Sequence, residues 1–200
     1  MVVTTERDDE SVAELVAGRR GGVPEPDDHG LIAPRNSPPD RASRPDPASR
    51  LDRVGRVGRP RADLADRDDV YLLLSTFYGR ALVDELLQDP FEDIRAKGLE
   101  SHLPVMCDFW ETMLFRARKY RGSALTVHKP IHTAHPLTSQ HFIRWLSLWM
   151  ETVDELFAGP IAEQAKIIGR RTAWAMHRAL VGHDADDLDD FVDREALIIR

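Results

Sequence analysis

All fourteen aromatic residues of this 200-residue chain lie at or beyond Tyr71, and this asymmetry decides where the chain can fold. Eight of the thirteen prolines, by contrast, fall before residue 62. A segment without aromatics buries too little apolar surface to offset the entropy of ordering its backbone. Residues 1–64 are therefore expected to be a disordered arm rich in Pro, Arg and Asp. Only residues 11–18 within it have helical character, ended by Gly21, Gly22 and Pro24. Seven arginines from Arg41 to Arg61 are interleaved with Asp, Pro and Gly. That mixture reads as a solvated linker in preference to a basic contact surface. Residues 65–181 have the length of one compact domain, and residues 182–200 form an acidic tail.

Net charge narrows the function classes. At −7, with a pI near 5.6, the chain lacks the clustered cations that a nucleic-acid interface requires. A single cysteine, Cys107, excludes an internal disulfide framework and suits a reducing compartment. No stretch approaches the length of a membrane-spanning apolar run, and the N-terminus lacks the apolar core of a secretory signal. A cytoplasmic protein without membrane contact is the expectation. Twelve places from Asp184 reach Glu195, as in a calcium loop, but Leu188 and Asp189 stand where a ligand and a tight-turn glycine belong. The tail therefore reads as a solvated acidic extension.

Apolar spacing predicts four main helices and no strands. The first starts near Asp66–Asp69, where acidic side chains suit a helix N-terminus. Its face carries Val70, Leu73, Leu74, Phe77, Tyr78, Ala81, Leu82 and Leu86, and Pro90 stops it. A second helix spans about 101–115, with Ser101 as cap and Pro104 in the first turn, where a missing N–H costs nothing. Residues 116–136 read as irregular, with Gly122, Pro130, Pro136, His128, His132 and His135. A third helix opens at Thr138 and runs to Phe157, and a fourth follows from Ile161 to about Leu180. Trp149 and Trp174 are expected in the core, as is Cys107.

Three polar groups sit on otherwise apolar faces. Tyr78 is in line with Leu74, Phe77 and Leu82, so its hydroxyl points inward and needs a partner. His102 shares a face with Met106 and Phe109, and Trp145 begins the third helix's apolar stripe. A packed bundle would explain the aromatics alone. The polar groups converging on them are what a small-molecule cavity requires.

These residues also carry a family resemblance. Phe77-Tyr78, the run from His102 through Leu-Pro-Val-Met-Cys-Asp-Phe to Trp110, and Tyr120-Arg-Gly followed by His128 resemble group III truncated haemoglobins. The segment from Pro136 through Trp145 and Trp149 to Phe157 does likewise, and the similarity covers about residues 66–180 in order. The resemblance implies an all-α fold, the truncated-globin two-on-two helical sandwich, enclosing haem b behind the disordered extension. It implies His128 as the proximal iron ligand, its other ring nitrogen donating to a backbone carbonyl. Tyr78 would be the main distal donor, assisted by Trp145, with His102 over the distal side. Met106, Phe109 and Trp110 would line the pocket. His132 and His135, four and seven residues beyond His128, could share its helical face and stay open as rival ligands. Arg118, Lys119 and Arg121 are nearby cations without an assigned propionate.

Three functions compete at this point. The first is reversible binding of O₂, NO or CO at a His-ligated iron. The second is NO dioxygenation or peroxide chemistry on the same site, which would need an external reductase because no flavin motif accompanies the pocket. The third is a helical interaction module with its cavity filled by side chains.

Overall fold

The computed structural model describes residues 61–182 together with Leu188 and Asp190. The described residues are all-α: α1 (Arg67–Ala81), α2 (Glu92–Lys97), α3 (Leu99–Phe115), α4 (Ala124–Ala134), α5 (Ser139–Leu156) and α6 (Pro160–Leu180). Most of the arm, and most of the tail beyond Gly182, lie outside the described residues. None of the described helices is long and apolar enough to cross a membrane.

The first helix begins as its acidic start suggests: the Asp66 side chain accepts the N–H groups of Asp68 and Asp69. It ends at Ala81 and does not continue through Leu86. The cause is Asp84, whose carboxylate accepts the N–H groups of Leu86 (3.1 Å) and Leu87 (3.3 Å) and so offers the backbone an alternative to the helix. Arg144 of α5 holds the other carboxylate oxygen at 2.7 Å. The turns that follow lead into α2, a short helix with no buried side chain.

The third helix starts at Leu99, earlier than expected, because Ser101 does not cap it; its hydroxyl donates to the Gly98 carbonyl at 2.9 Å. Pro104 therefore lies in the second turn, where its missing N–H leaves an exposed carbonyl to solvent. Residues 116–136 are not irregular throughout. They hold α4, capped by Ser123, which accepts the Thr126 N–H. No residue of α4 is fully buried: its half-buried face is Ala124, Leu125, His128, Ile131 and His132, in which two histidines interrupt the apolar spacing that a periodicity argument looks for. The six helices of the described residues replace the four expected.

Tertiary contacts pair α1 with α3 and α5, α5 with α6, α3 with α6, α2 with α3, and α4 with α6. The main core gathers Leu73, Leu74, Phe77, Leu103, Trp110, Leu146, Trp149 and Val153 between these elements. Glycine matters at one helix crossing: at Gly169 in α6, an added Cβ would lie 2.6 Å from the Trp149 ring. That close approach lets Trp149, fully buried, donate its indole N–H to the Ala165 carbonyl at 3.1 Å.

The folded unit reaches back into the last residues of the expected arm. Asp63 accepts the N–H groups of Ile161 (2.9 Å) and Ala162 (2.8 Å), capping α6 across 98 residues of sequence, and Leu64 is buried in the core. Gly159 is required beside it, with φ of +148° and its missing Cβ against the Asp63 carboxylate. At the other end, Leu188 is fully buried in a second cluster with Leu137, Phe142, Ala173 and Met176. At that position the expectation of a solvated tail fails, and a side chain in apolar surroundings is no calcium ligand. Trp174 is also corrected: it is 38% exposed, with the Arg178 guanidinium 4.7 Å above its ring.

Candidate functional site

The residues singled out in the sequence come from four helices: Tyr78 from α1, His102, Met106, Phe109 and Trp110 from α3, His128 from α4, and Trp145 from α5. Five of them belong to a continuous aromatic framework. The Tyr78 hydroxyl lies 3.4 Å from His102 Nε2, and the two rings meet edge to face at 5.5 Å. Phe77 packs edge-on against both Tyr78 (5.2 Å) and Trp145 (5.4 Å). Trp145 in turn stacks parallel to Trp149, and Trp149 stacks on Trp110 with centroids 4.1 Å apart. Phe109 stands edge-on to Trp110 and to Tyr120. Met106 is half-buried against the main core.

Roles divide along this framework. Tyr78 is buried, yet its hydroxyl has only the long contact to His102, so it keeps donor capacity. Burial raises its pKa, and the phenol stays protonated well beyond neutrality. His102 and Trp145 are half-buried, His102 edge-on to the Tyr78 ring and Trp145 edge-on to Phe77. Trp110 faces Trp149, inside the core, and not Tyr78 or His102.

The three rival histidines of the 128–135 segment are separated by the direction of their ring nitrogens. His128 Nδ1 lies 2.8 Å from the Ala124 carbonyl, which can only accept. Nδ1 therefore carries the proton and Nε2 presents a lone pair. His132 is the reverse case. Its Nδ1 accepts the Leu137 N–H at 3.0 Å, so in the neutral ring the proton sits on Nε2 and no lone pair faces outward there. His135 directs Nε2 to Glu92, 3.4 Å away. Of the three, His128 is the one whose Nδ1–H is held by a backbone carbonyl of its own helix, which leaves Nε2 as the lone-pair nitrogen.

His128 keeps some accessible surface, but enough protein surrounds it that burial lowers its pKa, partly offset by the Ala124 hydrogen bond. His102 is also lowered, first by burial and then by the charge of His128. The two imidazoles, from α3 and α4, are thus close enough to interact electrostatically without a hydrogen bond between them. Both prefer the neutral form, which is the metal-ligating and proton-accepting form.

Other groups contribute less. Cys107 is buried and burial pushes its thiol pKa up, so it is an inert core residue. An open surface depression of about 430 Å³, lined by Asp89, Glu92, Arg95 and Ala96, contains none of the aromatic residues. Its charged lining does not suit an apolar ligand. Thr112, Glu111 and Ala124, which sequence reasoning missed, act through backbone and loop contacts that no motif signals. No family model, no curated protein and no solved structure matches the chain.

Proposed function

We propose that this protein binds haem b through His128 and uses the iron to bind a diatomic gas, O₂ and also NO or CO. The observation that carries the reading is the His128 tautomer: Nδ1–H is committed to the Ala124 carbonyl, which leaves Nε2 as a neutral donor. Among the described residues no cluster of three or more His, Cys, Asp or Glu side chains is placed to hold a metal. A single well-oriented imidazole suits an iron whose remaining ligands come from a porphyrin. The donor set therefore fits the group.

Further support comes from α4, an eleven-residue helix with no fully buried side chain, which meets the second apolar cluster through Ala124 and Leu125 and leaves the rest of its half-buried face, with His128 and Ile131, to be covered. Helices of that length depend on covering an apolar face, and a flat apolar cofactor would cover this one. The pairing of α1 with α3 and of α5 with α6, with α1 meeting α5 and α3 meeting α6, supports the two-on-two arrangement of truncated globins.

Bound haem would supply an iron with one open coordination position for the gas. This chain's residues would do the rest. His128 would hold the iron, and its hydrogen bond to the Ala124 carbonyl restrains rotation of the imidazole. The protonated Tyr78 hydroxyl would offer a hydrogen-bond donor to the bound gas, with His102 Nε2 beside it at 3.4 Å. The indole N–H of Trp145 would be a second donor, and Phe77 packs against both Tyr78 and Trp145.

Titration of the haem-free full-length chain with haemin tests this. Saturation at one haem per chain, with a Soret band that sharpens on adding CO to the reduced sample, is the expected outcome. No saturable binding would leave the helical interaction module as the reading that survives.

A further inference from the structure

We propose that Thr112 is a positioning residue for the proximal side: through the 116–123 loop it fixes the carbonyl that orients His128, an inference that rests on His128 being the iron ligand. The hydroxyl of Thr112 is fully used. It donates to the Asp108 carbonyl at 2.7 Å, and accepts the N–H groups of Lys119 at 3.1 Å and Tyr120 at 3.0 Å. One donor and two lone pairs are all that a hydroxyl has. Its neighbour Glu111, buried at the end of α3, accepts Lys119 Nζ at 2.8 Å and also receives Arg67. Two adjacent residues of α3 thus hold both the backbone and the side chain of Lys119.

The loop needs this restraint. Arg116 and Arg118 both adopt left-handed backbone conformations, with φ of 56° and 53°. Non-glycine residues persist there only where the surroundings over-determine them. Tyr120 is then seated edge-on against Phe109 at 5.3 Å, and the chain passes so close beneath its ring that a Cβ at Gly122 would lie 2.8 Å from the phenol oxygen. Ser123 follows as the cap of α4, and Ala124 is the first residue of that helix. The carbonyl of Ala124 is the one that receives His128 Nδ1–H. The path from the Thr112 hydroxyl to the imidazole is therefore short: loop held at Lys119 and Tyr120, Ser123 cap, first helical carbonyl, ring.

Thr112→Val keeps the shape and removes the hydroxyl, and Thr112→Ser restores it. Two readouts are taken on the full-length chain. In the haem-free protein, ¹⁵N shifts of His128 report which ring nitrogen carries the proton. In the haem-loaded protein, the iron–histidine stretching frequency and the rate of haem loss report the proximal bond. Wild type and Thr112→Ser should show the Nδ1–H tautomer and one sharp stretching band. Thr112→Val should show a tautomer mixture, a broadened or shifted band, and haem loss about tenfold faster, the scale of a lost outer-shell contact. A Thr112→Val protein that melts earlier but keeps the wild-type tautomer and band would overturn the proposal and leave Thr112 as a structural residue. If the wild type takes up no haem, the iron reading fails, while the tautomer comparison still decides whether Thr112 orients the ring.

Discussion

Gly169→Ala reverses the usual sign of a glycine substitution in a helix. In an exposed helix interior, alanine stabilises by about 1 kcal/mol relative to glycine. Here the new methyl would meet Trp149 Cδ1 at 2.6 Å and Nε1 at 2.7 Å. Trp149 cannot yield, because it is fully buried and stacked against Trp110 on one side and Trp145 on the other. Overpacking of this kind costs about 1–3 kcal/mol. If the indole shifts, its N–H also loses the Ala165 carbonyl, and a buried donor without a partner costs about 1–3 kcal/mol more. Net of the helical gain, the loss is about 3 kcal/mol, or a fall in Tm of roughly 10 °C for a unit of this size. Urea unfolding followed by tryptophan fluorescence measures it directly. Near-UV circular dichroism of the folded variant should change as well, since the stacked indoles are displaced together. A Gly169→Ala protein as stable as wild type, or more so, would refute the tight α5–α6 crossing and the aromatic ladder built on it.

Three other outcomes follow from the same structure. Asp63→Ala removes the long-range cap of α6 and should cost about 1–2 kcal/mol in chemical denaturation; a chain starting at residue 65 should lose at least as much, and one starting at residue 61 should lose little. His102, His128 and His141 all have pKa values lowered mainly by burial, so below pH 6.5 the unfolded chain takes up protons before the folded one. Stability of the haem-free protein should therefore be flat above neutrality and decline as the pH falls from 6.5 towards 5, and a rise over that interval in urea titrations would contradict the assigned burial. Tyr78→Phe keeps the ring packed against Phe77 and Phe91 and should change stability by less than about 1 kcal/mol. In the haem-loaded protein the same substitution should speed release of O₂ by about tenfold, and stopped-flow dissociation rates equal to wild type would remove Tyr78 as the distal donor.

How far the sequence could be read depended on whether a helix buries a face of its own. In α1, the spacing of Val70, Leu74, Phe77 and Tyr78 reports a stripe that is buried, and Tyr78 could be placed inward from periodicity alone. The same holds for α5, where Thr138 opens the helix and Phe142, Leu146, Trp149 and Val153 follow at helical spacing. By contrast, neither α2 nor α4 has a fully buried residue, and the half-buried face of α4 mixes His128 and His132 with Leu125 and Ile131, so neither reads as a plain apolar stripe. The choice among His128, His132 and His135 could not be made from spacing, because it turns on which nitrogen meets which backbone group. Long-range partners were equally hidden. Asp63 looked like part of a polar arm and caps a helix nearly a hundred residues away; Asp84 looked helical and instead ends α1. Trp174 fits an apolar pattern by type, but stands on the outer face of α6 under Arg178.

The central claim is that His128, and neither of its neighbours, holds the iron. Its most direct test is the absorption spectrum of the reduced, CO-bound protein, measured for wild type and for His128→Ala, His132→Ala and His135→Ala, each loaded with haem. Wild type, His132→Ala and His135→Ala should share one globin-like spectrum with a Soret band of histidine-ligated type. His128→Ala should lose that band, and adding free imidazole should restore it. A His128→Ala spectrum identical to wild type, with the band lost in His132→Ala or His135→Ala, would contradict the account.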